Sequence, residues 1–586
     1  MDAEVQPARG ARRSVPTLER VLFAALAAAT IAFWATHYHP FLLPNNDFAS
    51  FEAPAQALLE GRLPASFLRM PLFPALMAAL APWMPGPHPF LEAALLLNAA
   101  LSLGLLVAVY VFSARAIGPG ALLVAVLLAT SEQFQLMALQ PLVEPLLGLC
   151  VVATFLALQA GSRWQWVAAG AAALCRVESL ALLPVLVAAH QVRGRSLVRG
   201  AGLAALAAAP ALAWVALGAA RGAGVDHYMG SVASMSFRGA PEFLLRELRE
   251  PFAGWYPRGG TLGMAGFALA VLAPLAWGLR AGWREFPREA SALVAYLCLH
   301  VGTVVVFGIA KARYVYPTEW ILLLFWSLGA LRLAEVALRR VPIPPAALGG
   351  GALVGAAALL ALVGRSGVRR ILAADSELFS APATLAYGAV ALLLAGAGLV
   401  AWTRRGPARR AVGIRAAILT GLGVLALPMV AGGLAHVRRD AQKIYYDNFE
   451  ITRLADWMRE GLSPGERIAV LPRAQVLFLA DEVEPSRVVA FSAFEARDPE
   501  TLAAEMRARD VRYAAYTWRK PNPNPGDVWN DRVLRADLAR LFQGGGPVPG
   551  FEHVATVDVP EELHRDDVQI YRVSSAGSLA GSSSSR

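Results

Sequence analysis

The sequence has few charged residues. Asp, Glu, Lys and Arg make up 16% of its 586 residues, whereas soluble domains contain about 25%. Hydrophobic residues make up 56% and occur in runs long enough to cross a bilayer. This composition excludes an ordinary soluble protein and predicts an integral membrane protein.

Cysteine is scarce, and two kinds of motif are missing. The three cysteines stand in apolar stretches without zinc or redox spacing, which favours inert buried thiols. No glycine-rich phosphate loop joins a strand to a helix, so a nucleotide-driven motor is unsupported. The sequence also has no internal repeat, and inverted repeats are typical of transporters.

Positive charge exceeds negative charge by 10. The arginines fall between apolar runs, where the positive-inside rule explains them, so we expect no nucleic-acid partner. The basic start of the chain leads into an apolar run that we interpret as a signal anchor rather than a cleaved signal peptide.

Apolar runs predict the membrane spans. They lie at 20–38, 91–113, 118–138, 142–160, 197–219, 262–280, 290–310, 318–338, 345–364, 383–403 and 412–435. The stretch 164–190 is too long for one straight span, since it would reach about 40 Å. Arg176 and Glu178 stand at its middle, which predicts two short helices that meet there.

This division gives about 13 crossings. It places on the cytoplasmic side Arg115, Arg163 and the arginine clusters within 193–199, 280–288, 332–340 and 404–410. The predicted fold is therefore an α-helical polytopic membrane protein with a small C-terminal α/β extracytoplasmic domain. The predicted regions are a cytoplasmic segment 1–17, a transmembrane domain 18–436 with a first external loop 39–90, an external domain 437–573 and a disordered tail 574–586.

The C-terminal region has the alternating pattern of a small α/β domain. We predict helices over 449–461 and 499–509. Strands are predicted from RIAVL, RVVAF, VRYAAYT, HVATVDV and VQIYRV.

Asp47 is the first candidate site residue. It follows a Pro-Asn-Asn turn in the first external loop and precedes an amphipathic helical pattern. A general base must lie where its substrate arrives, and this residue is predicted at the outer surface of the bilayer. The alternative is a helix N-cap.

Glu144, Arg176 and Glu178 are charged residues within or beside apolar runs, where charge is costly unless it has a partner or faces a cavity. Glu144 begins a helix between two prolines, so favourable placement at a helix N-terminus is the alternative to a site role. Arg176 and Glu178 are two residues apart and do not share a helix face. A broken helix or separate partners is therefore expected rather than a direct pair.

Lys311, Arg313 and Tyr314 belong to a turn, AKARYVYP, between two spans. Two cations and neighbouring tyrosines at the outer headgroup level are suited to bind a phosphate or pyrophosphate. Snorkelling of the cations in an aromatic belt is the alternative.

Five stretches, taken in this order, resemble the GT-C superfamily of membrane glycosyltransferases. They are NNDFASFEAPAQALLEGRLP, MPLFPALMAAL, LVEPLLGLCVVATFLAL, GAAALCRVESLALLPVL and ARYVYPTEWILLL. The chain is most similar to the branch with protein O-mannosyltransferases and aminoarabinose transferases, which use polyprenyl-phosphate sugars. The resemblance covers residues 18–335 and, in layout only, the C-terminal domain.

The resemblance implies roles for the candidate residues. Asp47 would be the catalytic base for inverting attack on the anomeric carbon, and Glu144 a second acidic residue of the cavity. Candidates to bind the donor phosphate are Arg69, Arg176, Lys311, Arg313 and Tyr314. Many members have two adjacent acids where this chain has Asp47-Phe48, so we predict that no metal and no cofactor is required.

The sequence thus predicts a glycosyltransferase of the inner membrane with an extracytoplasmic active site. Its partners would be a polyprenyl-phosphate-linked sugar, the lipid bilayer and a glycan, lipid or protein acceptor. A lipid-linked-sugar flippase or transporter and a non-catalytic envelope assembly protein are the alternatives.

Overall fold

The computed structural model describes a large part of the chain. The described residues are 17–37, 48–221 without 68, 87 and 119, 271–306, 312–340, 449–471, 476, 480, 483–494, 496, 498–516, 547–557 and 568–574. Asp47, Lys311 and the predicted spans at 345–364, 383–403 and 412–435 lie outside them. The described residues fall into two compact units, a helical one that extends to Arg340 and a mixed one from Phe449 onward, to which Phe48 and Ala49 also belong.

The described part of the helical unit consists of α-helices. They are α1 (Thr17–His37), α2 (Ala49–Leu59), α3 (Leu72–Leu80), α4 (Pro89–Ile117), α5 (Ala121–Ala129), α6 (Glu132–Leu139), α7 (Glu144–Gln159), α8 (Trp164–Cys175), α9 (Leu182–Val192), α10 (Leu197–Ala220), α11 (Ala273–Glu285), α12 (Pro287–Val306) and α13 (Tyr316–Arg340).

Two of the described helices, α4 and α10, are by themselves long and apolar enough to cross a membrane. The pair α5 and α6 would form a third crossing, bent by 59°. The apolar run predicted as a span at 118–138 therefore consists of two helices rather than one straight helix. Ser131 interrupts it because its side chain accepts a hydrogen bond from the backbone N–H of Phe134 and so caps a new helix, α6.

The predicted break within 164–190 is confirmed. Helix α8 ends at Cys175, a short 3-10 turn covers Val177–Ala181, and α9 then begins at Leu182. Arg176 itself has extended backbone angles, φ −151° and ψ 133°. Arg176 therefore does not have helical backbone geometry, and its side chain can contact groups that it would not reach from a continuous helix.

The second unit is built on a five-stranded mixed sheet. Its strands are β1 (Ile468–Leu471), β2 (Val488–Ala490), β3 (Tyr513–Tyr516), β4 (Phe551–Val557) and β5 (Val568–Val573), in the order β2-β1-β3-β5-β4. Strand β1 is parallel to β2 and β3, whereas β5 is antiparallel to β3 and β4. All five strands agree with the sequence prediction to within two residues.

Two helices accompany this sheet, α14 (Phe449–Gly461) and α15 (Pro499–Ala508), again where the sequence predicted them. Apolar residues of α14, among them Leu454 and Met458, pack with Ile468 of β1 in one core cluster. Asp498 caps α15 by accepting a hydrogen bond from the Thr501 backbone N–H, and this bond lowers the pKa of the aspartate.

Candidate functional site

Glu144 is the first residue of α7, and its side chain is only 1% exposed. The turn before it is fixed by Asn98 of α4, whose amide nitrogen donates to the backbone oxygens of Gln140 and, at 2.7 Å, of Leu142. Asn98 is fully buried. A buried amide that binds two carbonyl oxygens of one turn holds that turn in place. The position of Glu144 therefore depends on α4 as well as on its own helix.

Arg176 supplies the closest partner of Glu144. Its Nη2 donates to Glu144 Oε1 at 2.9 Å, and this ion pair is buried, with side-chain exposures of 10% and 1%. Arg176 Nη1 also lies 3.8 Å from Glu178 Oε1. As expected, the helix is broken here and Arg176 has a separate partner in Glu144, but Arg176 and Glu178 also lie within ion-pair distance. The pair with Glu144 is nonetheless shorter.

Arg313 and Tyr314 reach the same place from another part of the chain, a single 3-10 turn just before α13. Arg313 Nε lies 3.9 Å from Glu144 Oε1, the oxygen that Arg176 binds. The Tyr314 ring lies below both arginines, with Cζ of Arg176 4.2 Å and Cζ of Arg313 5.2 Å from its centroid. We call Glu144, Arg176, Arg313 and Tyr314 the arginine cluster.

His300 of α12 fixes the backbone of this turn. Its Nε2 lies 2.8 Å from the Tyr314 carbonyl oxygen, and because a carbonyl only accepts, Nε2 is the donor. The Nδ1 atom of the same ring lies 3.5 Å from the hydroxyl of Tyr296. His300 is 2% exposed and Tyr296 is fully buried. The aromatic floor of the arginine cluster is thereby attached to α12.

The arginine cluster has two guanidinium groups beside one carboxylate oxygen. Two cations this close repel each other, and the negative charge of Glu144 offsets this repulsion. The face of the Tyr314 ring adds cation–π attraction to both guanidinium groups. Glu144 Oε2 makes no hydrogen bond within the described residues. Guanidinium groups bind phosphate oxygens in a bidentate manner, so the arrangement is chemically suited to a phosphate ester.

Arg69 lies elsewhere in the helical unit, against α2. Its Nε donates to Ser50 Oγ at 2.7 Å, and its Cζ lies 4.7 Å from the Phe51 ring centroid. The Arg69 carbonyl accepts a hydrogen bond from Trp214 of α10 at 3.1 Å. Arg69 thus joins α10 to the start of α2, and Ser50 is three residues after Asp47 in the sequence.

The loop that carries Arg69 also contacts the broken helix. Met70 packs against Ala173 of α8 and Ala211 of α10, with Leu180 alongside. Ala173 is three residues before Arg176. The loop that carries Arg69 therefore packs against the helix that ends one residue before Arg176.

Of the predicted site residues, the structure brings together Glu144, Arg176, Arg313 and Tyr314, and it places Arg69 at α2. Asp47 and Lys311 lie outside the described residues. Sequence reasoning missed Asn98 and His300. Both are polar residues within apolar runs, and that is a signal of function or of a specific partner in membrane segments.

No family model and no curated protein matches the chain. Among solved structures, it is similar to ArnT, the aminoarabinose transferase, from Cupriavidus metallidurans in the apo state, with 15% identity, 95% of this chain and 98% of that chain covered, and a TM-score of 0.53. A second ArnT structure, bound to undecaprenyl phosphate, has 15% identity, coverage of 97% and 100%, and a TM-score of 0.48.

The oligosaccharyltransferase of Archaeoglobus fulgidus in its apo form is also similar, with 11% identity, 90% of this chain and 72% of that chain covered, and a TM-score of 0.50. ArnT and this oligosaccharyltransferase are both GT-C membrane glycosyltransferases. At these identities the likeness is one of fold. The fold implied by the resemblance to the GT-C superfamily is therefore shared with these solved structures.

Proposed function

We propose that the protein is a membrane glycosyltransferase that moves a sugar from a polyprenyl-phosphate donor to an envelope glycan, lipid or protein. The observation that carries this proposal is the buried arginine cluster, in which two guanidinium groups lie beside one carboxylate. Membrane interiors rarely hold such a group without a ligand or transport role. The likeness in fold to ArnT, which has been crystallised with undecaprenyl phosphate, supports a lipid-linked phosphate as the ligand.

The arginine cluster would bind the donor phosphate. During transfer the bond between the anomeric carbon and the phosphate oxygen breaks, and the electron pair stays on that oxygen. Preorganised cations at this oxygen stabilise the developing charge and make the polyprenyl phosphate a better leaving group. In this proposal Arg176 and Arg313 contact the phosphate, Lys311 joins them, and Tyr314 supports both guanidinium groups.

Asp47 would act on the acceptor. Its carboxylate would take the proton from an acceptor hydroxyl or amine while that oxygen or nitrogen attacks the anomeric carbon, with inversion. The contact of Arg69 with Ser50 supports a fixed position for the start of α2, close to Asp47 in the sequence. In this scheme Glu144 holds Arg176 in place within the active site. Arg69, which belongs to the same predicted external loop as Asp47, contributes to binding of the donor phosphate. No metal ion or cofactor takes part.

The active site would face the extracytoplasmic side of the inner membrane. The break at Arg176, the start of α7 and the start of α13 all belong to turns that charge placement assigns to that side. The mixed sheet unit would lie outside as well and help to select the acceptor. Polyprenyl-phosphate sugars need no nucleotide at the site of transfer, in agreement with the missing phosphate loop.

The test compares envelope lipids and glycans, by mass spectrometry, from deletion cells that express wild type, Asp47→Asn or Asp456→Asn at equal protein levels. Asp456 is a half-buried aspartate that, among the described residues, pairs with Arg459 at 2.9 Å. Loss of a general base lowers rates about 10²- to 10⁴-fold, so the sugar increment should vanish only with Asp47→Asn. Equal increments with both variants would remove Asp47 from catalysis.

A further inference from the structure

A cavity of about 350 Å³ lies between α11 and α13, away from the arginine cluster. The residues around it come from the last turns of α11 and from the second half of α13. These helix ends bear the arginines that the sequence assigns to the cytoplasmic side of the membrane. None of the residues around this cavity belongs to the proposed glycosyltransferase site.

The two helices that form the cavity are fixed against each other. A Cβ atom on Gly278 of α11 would overlap the carbonyl oxygen of Phe325 in α13, and one on Gly329 of α13 would overlap that of Pro274 in α11. Only glycine permits such close approach of two helix backbones. The walls of the cavity are therefore held at a constant distance.

The floor of the cavity is formed by Arg332, whose guanidinium group is already bound by two carboxylates. Arg332 Nε and Nη2 donate to the two carboxylate oxygens of Glu285 at 2.6 and 2.7 Å, and Nη1 donates to Glu335 at 2.7 Å. A guanidinium group bound on both edges has a structural role. Two carboxylates against one cation also leave the floor with a net negative charge.

The mouth of the cavity is basic and aromatic. Trp277, Arg280 and Arg284 follow each other at helical spacing on α11, and all three are exposed. Cζ of Arg280 lies 5.9 Å from the Trp277 ring. Neither Arg280 nor Arg284 makes a hydrogen bond or an ion pair with any of the described residues. Tryptophan beside arginine is the usual composition at the headgroup level of a bilayer.

We propose that this cavity binds the headgroup phosphate of an anionic phospholipid in the adjacent leaflet. Basic pockets between transmembrane helices on the cytoplasmic side are a known mode of anionic lipid binding. Arg280 and Arg284 would bind the phosphodiester, and Trp277 would lie against the glycerol and upper acyl region. A doubly charged free phosphate would have to enter more deeply, and the negative floor would repel it. The cavity therefore favours a lipid whose phosphodiester carries a single charge.

Native mass spectrometry of delipidated protein tests the proposal, with phosphatidylglycerol and phosphatidylcholine added in parallel. The first variant carries Arg280→Gln and Arg284→Gln. The control carries Arg115→Gln and Arg163→Gln, two exposed arginines also assigned to the cytoplasmic side, so it loses the same charge outside the cavity. The proposal predicts that phosphatidylglycerol adducts fall about 10-fold or more in the first variant and less than about twofold in the control.

Three results would overturn the proposal. Equal loss of adducts in both double variants would show a general effect of charge. Unchanged adducts in the first variant would remove the cavity as the site. Displacement of phosphatidylglycerol by millimolar inorganic phosphate as readily as by excess phosphatidylglycerol would identify a free phosphate as the ligand. Melting temperatures measured on the same samples confirm that each variant is folded.

Discussion

The helical unit contains two arginine networks that differ in the ratio of cations to carboxylates. In the arginine cluster, Arg176 and Arg313 lie beside one oxygen of Glu144. In the other network, Arg332 is bound by both Glu285 and Glu335. The first pair is more buried, with exposures of 10% and 1% for Arg176 and Glu144 against 27% and 18% for Arg332 and Glu285.

This difference separates a structural network from one that can bind an anion. Arg332 has both edges of its guanidinium group occupied by carboxylates, and little remains for a ligand. In the arginine cluster two cations share the buried Glu144 against an aromatic ring, and the contact of Arg176 with Glu178 is longer, at 3.8 Å. Desolvation makes such an arrangement costly, and a bound phosphate would offset that cost.

The largest effect is expected from the acids that hold the two networks. Glu144→Gln leaves Arg176 buried without its closest partner, so the free energy of unfolding should fall by roughly 3–5 kcal/mol. Glu285→Gln leaves Arg332 bound to Glu335 in a more exposed place and should cost about 1 kcal/mol or less. Denaturant titration of both purified variants in detergent measures the difference. Similar losses would mean that the two networks do not differ as described.

A smaller effect is expected from Asn98→Leu. This change leaves the backbone oxygens of Gln140 and Leu142 without their buried donor and should cost about 1–3 kcal/mol of stability. It should also weaken binding of undecaprenyl phosphate, because Glu144 stands two residues after Leu142 and its position depends on this turn. Binding in detergent, measured beside the unfolding curve, gives both values.

Thr154→Val is the matched control for Asn98→Leu. Thr154 is fully buried in α7, but among the described residues its hydroxyl bonds only the carbonyl of Cys150 in its own helix, at 2.8 Å. Its donor affinity should stay at the wild-type value. A fall in donor affinity that is equal in the two variants would show that Asn98 has no special connection to the arginine cluster.

Chelation is expected to have no effect. Asp47 is followed by Phe48 rather than by a second acid, so we predict that sugar transfer continues after dialysis against EDTA. The assay compares dialysed enzyme with and without added Mg²⁺ or Mn²⁺. Activity that is lost on dialysis and restored by either ion would contradict this prediction.

Much of the helical unit could be predicted from hydropathy and charge. The break at Arg176 followed from the length of the apolar stretch and its two central charges. The break at Ser131 was missed because the run 118–138 is apolar on both sides of it, although Ser131-Glu132 is a helix-start signal. A local capping bond decides this break, and averaged hydropathy does not show it.

The candidate site was predicted in part for a similar reason. Charge within or beside apolar runs identified Glu144 and Arg176, and a cationic turn between two spans identified Arg313. Their meeting at one oxygen depends on contacts between α7, the α8–α9 break and the turn before α13, which are far apart in the sequence. Asn98 and His300 act through backbone oxygens of those turns, and no sequence pattern specifies which oxygens they bind.

The most direct test of the account is the affinity for undecaprenyl phosphate of Arg176→Gln, Arg313→Gln and Arg163→Gln, measured by native mass spectrometry. Hydrogen bonds to charged groups predict that each of the first two variants loses about 10- to 100-fold. Arg163 is exposed and outside the arginine cluster, so its variant should remain within about twofold of wild type. Wild-type affinity in folded Arg176→Gln and Arg313→Gln would contradict the assignment of the arginine cluster to the donor phosphate.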